Sequence, residues 1–314
     1  MEVYGEVARE NVAVAAEAVD AAQLAEAAEV QPGRRASLWR DAGRRLLRNK
    51  LAVAGLIGVC VLVFLAVFAD VISPYPYDYQ DFLHINEEPS WQFPLGTDLV
   101  GRDMLSRVIY GARVSLSVSL LSQIVILCIA VPLGALAGYR GGWVDMLVMR
   151  MVDVFYAIPS LLLAILIMSM LGRGIENLFI ALIVTGWLTL TRLTRAQVLT
   201  LRDKEYVKAA RTAGAGPLRI IVRHILPNAL TPIVVAVTFG IPQLIFAEAA
   251  LSFIGIGVNP PMPSWGQMVG EHQQYLRSSW WLAVFPTAAI ALTMLSFTFL
   301  GDGIRDALDP RMND

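Results

Sequence analysis

The chain predicts an all-α, polytopic membrane fold with six spans and one short cytoplasmic helix. Three observations carry that expectation. Of 314 residues, 56% are hydrophobic and only 16% charged, and the mean hydropathy is +0.58, whereas a soluble domain has about a quarter of its residues charged. The apolar residues arrive in long runs: Leu51–Ala69, Val114–Tyr139, Val154–Gly172, Ile225–Ala247 and Ser278–Gly301 each contain no charged residue. The bases, in turn, are concentrated in particular connecting segments. A helix needs about 20 apolar residues to cross the hydrocarbon layer, so these five runs qualify. Leu178–Thr191 is a shorter sixth run, which extends past Arg192 if that side chain reaches toward the headgroups.

The elements follow in order. Residues 1–33 hold seven acids and one base, Arg9, in an Ala-rich background. Such a segment has too little apolar surface to bury, which predicts a disordered cytoplasmic tail whose deletion leaves activity intact. It is no secretory leader, because the first apolar run begins only at Leu51. Residues 34–50 hold seven bases against Asp41. Beside a span, such a block reads as a topology signal rather than a nucleic-acid patch, and it sets the N-terminus in the cytoplasm. The first span is expected at 51–72, followed by an external loop at 73–113. That loop is rich in Pro and Tyr (Pro74, Tyr75, Pro76, Tyr77, Tyr79), and its acids outnumber its bases. Residues 114–311 are expected to form a five-helix core. Within it, residues 192–223 carry eight bases against Asp203 and Glu205, while residues 248–277 carry only Arg277. Residue 205 is therefore expected inside and residue 265 outside, with both termini cytoplasmic.

The segment 205–227, EYVKAARTAGAGPLRIIVRHILP, stands apart. A span is explained by its solvent, but a compact basic helix with small residues calls for a protein partner. A helix is expected at about 203–217. Glu205 near its start favours the helix dipole. Ala209 and Ala210 permit close approach, and Gly214 ends the helix or brings backbones together. Lys208 and Arg211, three apart, can share a face that meets acidic groups.

Several spans are interrupted, by Pro132 and Gly134, Pro159, Gly240 and Pro242, and Pro286. These breaks read either as bending helices around a cavity or as ordinary membrane packing. Glu248 and Asp153 are expected at solvated span ends, with Arg150 one turn from Asp153. Cys60 and Cys128 read as small core residues. His84, His224 and His272 are scattered, and no metal-type cluster is visible. There are three lysines, Lys50, Lys204 and Lys208, and none lies in G-x-x-x-x-G-K-[ST], so the chain is no nucleotide-hydrolysing motor of that type. No nucleophile elbow is present either, which argues against an enzyme. A secondary transporter coupled to ions would need mid-span carboxylates, and the five runs have none. A channel would need a filter or a ring of pore-lining side chains.

The pattern Ala209-Ala210 through Gly214, followed by Leu226-Pro227, resembles the signature loop of ABC importer permeases. Here Lys208 stands where that loop has Glu, and His224 where it has Ile. LGTDLVGRDMLSRVIYGARVSL (95–116), EAALSFIGIGVNPP with PSWG (248–266) and WWLAVFP with LGDGIRDALDPR (280–311) are similar to the second permease subunit of dipeptide, oligopeptide and nickel importers. The likeness covers about residues 40–311. It implies a type I importer fold in a bacterial inner membrane. It also implies a second homologous permease, two ATPase subunits that bind ATP and Mg, and an extracytoplasmic substrate-binding protein. Glu205, Lys208, Ala209, Ala210, Arg211 and Gly214 then become the ATPase-coupling residues. No cofactor is expected in this chain. Peptide is the expected substrate, with nickel or another small solute as the alternative.

Overall fold

A computed structural model describes residues 35–308; residues 1–34, which include the acidic tail 1–33, and residues 309–314 lie outside the described residues. The chain divides between Arg45 and Leu46 into two units. Of the first, the described part is the start of helix α1 (Arg35–Arg48). The second unit holds every apolar helix. Among the described residues there is no strand, only an isolated bridge between Thr97 and Asp103.

Helix α2 (Lys50–Val67) begins where Asn49 accepts hydrogen bonds from the backbone N–H of Leu51 and Ala52, at 3.1 and 3.3 Å. This cap satisfies two donors that the first turn leaves without an intrahelical partner. A single turn, α3 (Ala69–Ile72), follows. Helix α4 (Met104–Arg140) is 37 residues long, or about 55 Å at 1.5 Å per residue. It starts ten residues before the expected boundary at 114. Arg107 and Arg113 had placed that segment in the loop, but both are helical. Arg113 donates to the carbonyls of Ala66 and Val67 and to Asp70, so it closes the end of α2 rather than marking a loop.

The third span, expected to be interrupted at Pro159, is two helices, α5 (Gly142–Tyr156) and α6 (Ser160–Leu171), which meet at 83° across Ala157–Pro159. Among the described residues, five helices are individually long and apolar enough to cross, and the bent pair makes six if counted as one span. Helix α7 (Ile175–Leu201) lies along α4. A β-carbon on Gly134 or Gly138 would run into the backbone of Thr191 or Arg195. These two glycines, four apart, set the close crossing of the two helices.

Then come the short α8 (Glu205–Thr212), α9 (Pro217–Ile220), a π turn at Ile221–Ile225 and α10 (Leu226–Phe253). Helix α11 (Trp265–His272) and the long α12 (Trp281–Leu308) complete the bundle. The main core joins α4, α7 and α10 through Val114, Ile126, Leu182, Trp187, Leu190 and Leu244.

The segment expected as an external loop is ordered by its own polar groups. Asp98, fully buried, accepts from the N–H of Val100 and of Arg102 and from the Arg102 guanidinium at 2.6 Å. Thr97 donates to the His84 carbonyl at 2.6 Å, and its own carbonyl accepts from the Trp281 indole. Asp103 caps α4 through the Ser106 N–H. The LGTDLVGRD stretch is thus a structural knot beneath which Arg107 is buried, 3.8 Å from both Asp98 and Glu271.

Two expectations about single residues are corrected. Cys60 and Cys128 are exposed rather than core residues; on a lipid-facing surface a thiol is simply a small apolar group. Asp153, exposed as a span-end residue would be, has its partner on another helix: it pairs with Arg192 at 2.5 Å, not with the neighbouring Arg150. The stem of Arg192 reaches across to α5, and its guanidinium stacks 4.2 Å over the Tyr156 ring.

Candidate functional site

Helix α8 is a short element with one seated side and one open side. Val207 is fully buried in a cluster with Ala135 near the end of α4, Val198 on α7, Ile220 at the end of α9 and Ile225 in the π turn, with Leu226 at the start of α10 packed against it. Three long helices therefore meet around one small side chain. Successive residues step by 100°, so Glu205, Lys208, Ala209 and Thr212 form a stripe opposite Val207. All four are exposed. The helix ends in a paired-bond cap. The N–H of Ala215 donates to Ala210 and the N–H of Gly214 to Arg211, both at 3.0 Å, with Gly214 at φ +82°. This is the Schellman arrangement, in which the left-handed position strongly favours glycine. Gly214 is therefore the cap of α8. Nothing lies within 4 Å of where its β-carbon would be, so inside this chain it brings no backbones together.

The expected coupling residues thus divide. Glu205, Lys208, Ala209 and Gly214 are open. Ala210 is half-buried on the inner side rather than free for close approach. Arg211, although exposed, places its guanidinium 5.8 Å over the Tyr139 ring at the end of α4, so it turns away from Lys208 instead of sharing its face. Val207, the residue that seats the helix, was missed by sequence reasoning. The Ala-rich neighbourhood drew attention to small residues, and one Val in a basic stretch carries no period of its own. Leu218, 74% exposed just after the cap, adds an apolar group to the open side.

The approach to α8 is braced. Arg195 on α7 forms a two-pronged pair with Asp145 on α5, and Arg202 donates to the Gly138 carbonyl at 2.9 Å. Planar guanidinium forks suit such carboxylate contacts. The bases that signalled a cytoplasmic loop therefore also tie the last turns of α7 to its neighbours.

A cavity of about 500 Å³ opens at the break between α5 and α6. Its walls come from α4, α7 and α10 as well as the break itself. Its polar side chains are Gln123, Tyr156, Ser160, Thr185, Thr189 and Gln243, and no charged side chain lines it. A smaller opening of about 390 Å³ shares Ser160, Thr185 and Gln243 with it. Of the interrupting residues, Pro159 and Gly240 line the larger cavity and Pro242 the smaller. Pro132 and Pro286 sit inside continuous helices.

Glu248 is not at a solvated span end. It is fully buried in α10, where its two oxygens accept from Ser115 on α4 and from Ser252, each at 2.8 Å.

Comparison with known proteins adds the family. Residues 130–314 match the binding-protein-dependent transport system inner membrane component, and residues 37–89 match the N-terminal transmembrane domain of oligopeptide transport permease C. The chain is 41% identical over 276 residues to the oligopeptide transport system permease protein OppC of Bacillus subtilis, covering 88% of this chain and 90% of that one. It is 43% identical over 277 residues to the dipeptide permease DppC of the same organism, covering 88% and 87%. It is 41% identical over 275 residues to the glutathione permease GsiD of Pectobacterium atrosepticum, covering 87% and 91%. The fold is similar to a chain of the inward-facing MetNI methionine ABC transporter, with a TM-score of 0.52 at 21% identity, over 66% of this chain and 98% of that one. The chain belongs to the binding-protein-dependent transport system inner membrane components, the membrane-spanning permease subunits of ABC importers.

Proposed function

We propose that this permease forms half of a peptide translocation path and receives the motor's stroke through α8. The observation that carries the reading is the two-sided helix: an exposed stripe of Glu205, Lys208, Ala209 and Thr212 backed by Val207, which is buried among the ends of three long helices. A force applied to the open side passes through a packed contact to α4, α7 and α10, because close-packed interiors transmit displacement. Those same helices wall the cavity. Helix α8, its Gly214 cap and the exposed Leu218 are the surface offered to an ATPase subunit.

The assembly has four further subunits in this reading: a second homologous permease, two ATPases that bind ATP and Mg, and an extracytoplasmic substrate-binding protein. The eight bases of residues 192–223 set α8 in the cytoplasm, and the basic block at 34–50 sets the N-terminus there too. Both termini are then cytoplasmic, in a bacterial inner membrane. Peptide is favoured as substrate because the similar permeases are named for oligopeptides, dipeptides and glutathione. The test is co-expression with the neighbouring transport subunits, purification of the complex, and ATP-dependent uptake of a labelled dipeptide into proteoliposomes. Co-purified ATPase and uptake are expected. A chain that purifies folded without an ATPase, or a complex that takes up no peptide, overturns the reading.

A further inference from the structure

Gln123 lies on α4, 7% exposed, and lines the cavity. Its amide makes no hydrogen bond to any described residue, and neither does that of Gln243, which is exposed on α10 and lines the same cavity. Because both side chains line the cavity, water or a passing ligand is what can complete these amides. The amide of Gln123 packs over the backbone of α10 at Gly240, where a β-carbon would meet its Oε1 at 2.5 Å. The volume, about 500 Å³, lies within the roughly 300–1,000 Å³ of small-molecule sites.

We infer that Gln123 and Gln243 form a neutral subsite that reads the peptide bond of a passing substrate. This rests on the peptide reading given above. Each glutamine offers one carbonyl acceptor and two N–H donors, the complement of a peptide group's N–H and C=O. Every peptide carries that group whatever its side chains, so the subsite serves many sequences. With no charged side chain in the wall, a cationic or anionic residue of the substrate finds no counter-ion to trap it. Thr189 is already engaged by the Tyr156 hydroxyl at 2.7 Å, which leaves the two glutamines as the free amides.

The experiment uses the complete importer in proteoliposomes, with ATP and its binding protein, supplied with an equal mixture of Ala-Lys-Ala and Ala-Glu-Ala. The readout is the ratio of the two uptake rates, which does not depend on how much complex folds. Gln243→Glu is expected to raise the ratio in favour of the cationic peptide by roughly threefold, the scale of a partly screened ion pair, and Gln243→Lys to lower it similarly. Gln123→Leu is expected to slow both peptides about three- to tenfold, the worth of one neutral hydrogen bond. Wild-type uptake with ratios unchanged in both charge variants overturns the subsite alone. A wild-type complex that hydrolyses ATP yet imports neither peptide overturns the peptide reading, and the subsite with it.

Discussion

Ser115 on α4 donates a 2.8 Å hydrogen bond to Glu248 on α10, across 133 residues of sequence. Ser252, one turn along α10, donates to the other oxygen at 2.8 Å. A single buried carboxylate thus joins two helices that also wall the cavity. Glu248→Ala leaves both hydroxyls without this acceptor, at a cost of about 1–3 kcal/mol for each group left unpaired. Gln keeps one accepting oxygen. The thermal midpoint of the purified complex should therefore fall most for Glu248→Ala and less for Glu248→Gln. Equal midpoints for both variants and the parent would mean that the buried Glu248 contact contributes nothing.

The Gly214 cap makes a ranked prediction. At φ +82° a β-carbon is strained, by roughly 1–2 kcal/mol for an ordinary residue and less for Asn, which tolerates the left-handed region. The mechanism is backbone strain rather than crowding within this chain. Substrate-stimulated ATPase should therefore fall in the order Gly, Asn, Ala, Val at position 214. If Gly214→Val couples as well as the parent, α8 is not the element that meets the motor.

Val207 separates docking from transmission. Val207→Ala deletes two buried methyl groups at about 0.8 kcal/mol each, loosening the seat while leaving the exposed stripe unchanged. Co-purification of the ATPases should persist while uptake per ATP hydrolysed declines. Ala209→Trp, on the open side, should instead reduce co-purification. Both variants behaving alike would remove the distinction drawn here between the two faces.

Much of the fold was legible because lipid demands charge-free length, and a window of sequence measures that directly. The size of the bend between α5 and α6 was not. The run Val154–Gly172 begins inside α5 and ends just beyond α6, and composition carries no direction; only Pro159 hinted at the break. Arg107 and Arg113 misled for a related reason. A base reads as a loop residue unless its partners are known, and Glu271 for one and the end of α2 for the other are distant in sequence. The exposed stripe of α8 could be read from its small and charged residues. The seat at Val207 and the unpaired amide of Gln123 depend on which helices meet there.

Sidedness can be measured by cysteine labelling in intact cells, after Cys60 and Cys128, both exposed, are replaced. Trp265, the position expected outside from charge density, is 1% exposed and unsuitable as a reporter. Leu276, 52% exposed on the same connection, serves instead. A cysteine at 276 should react with an impermeant reagent from outside, and one at 205 should react only after lysis. Labelling of 205 from outside would overturn the orientation.

His272 makes stability depend on pH. It ends α11, is 3% exposed, and its Nδ1 lies 2.7 Å from the Met268 carbonyl. A carbonyl only accepts, so Nδ1 carries the hydrogen. Burial holds the ring below its ordinary value of 6.5; the Met268 bond and the carboxylates of Asp98 and Glu271 oppose the shift, and Arg107 adds to it. The depressed value means the unfolded chain binds the proton more readily than the folded one. The stability is therefore present above pH 6.5 and lost as the pH falls through and below it. His84 runs the other way: its bond to Asp81 raises it, so its contribution is present below 6.5 and fades as the pH rises through its folded value. The wild-type profile alone mixes the two, and a comparison isolates the buried ring. His272→Gln can still donate an N–H near Met268 but has no proton to gain in this range. The drop in thermal midpoint between pH 7.5 and 5.5 should be smaller in His272→Gln than in the parent complex. An identical drop in both would show that this histidine is not held neutral by burial.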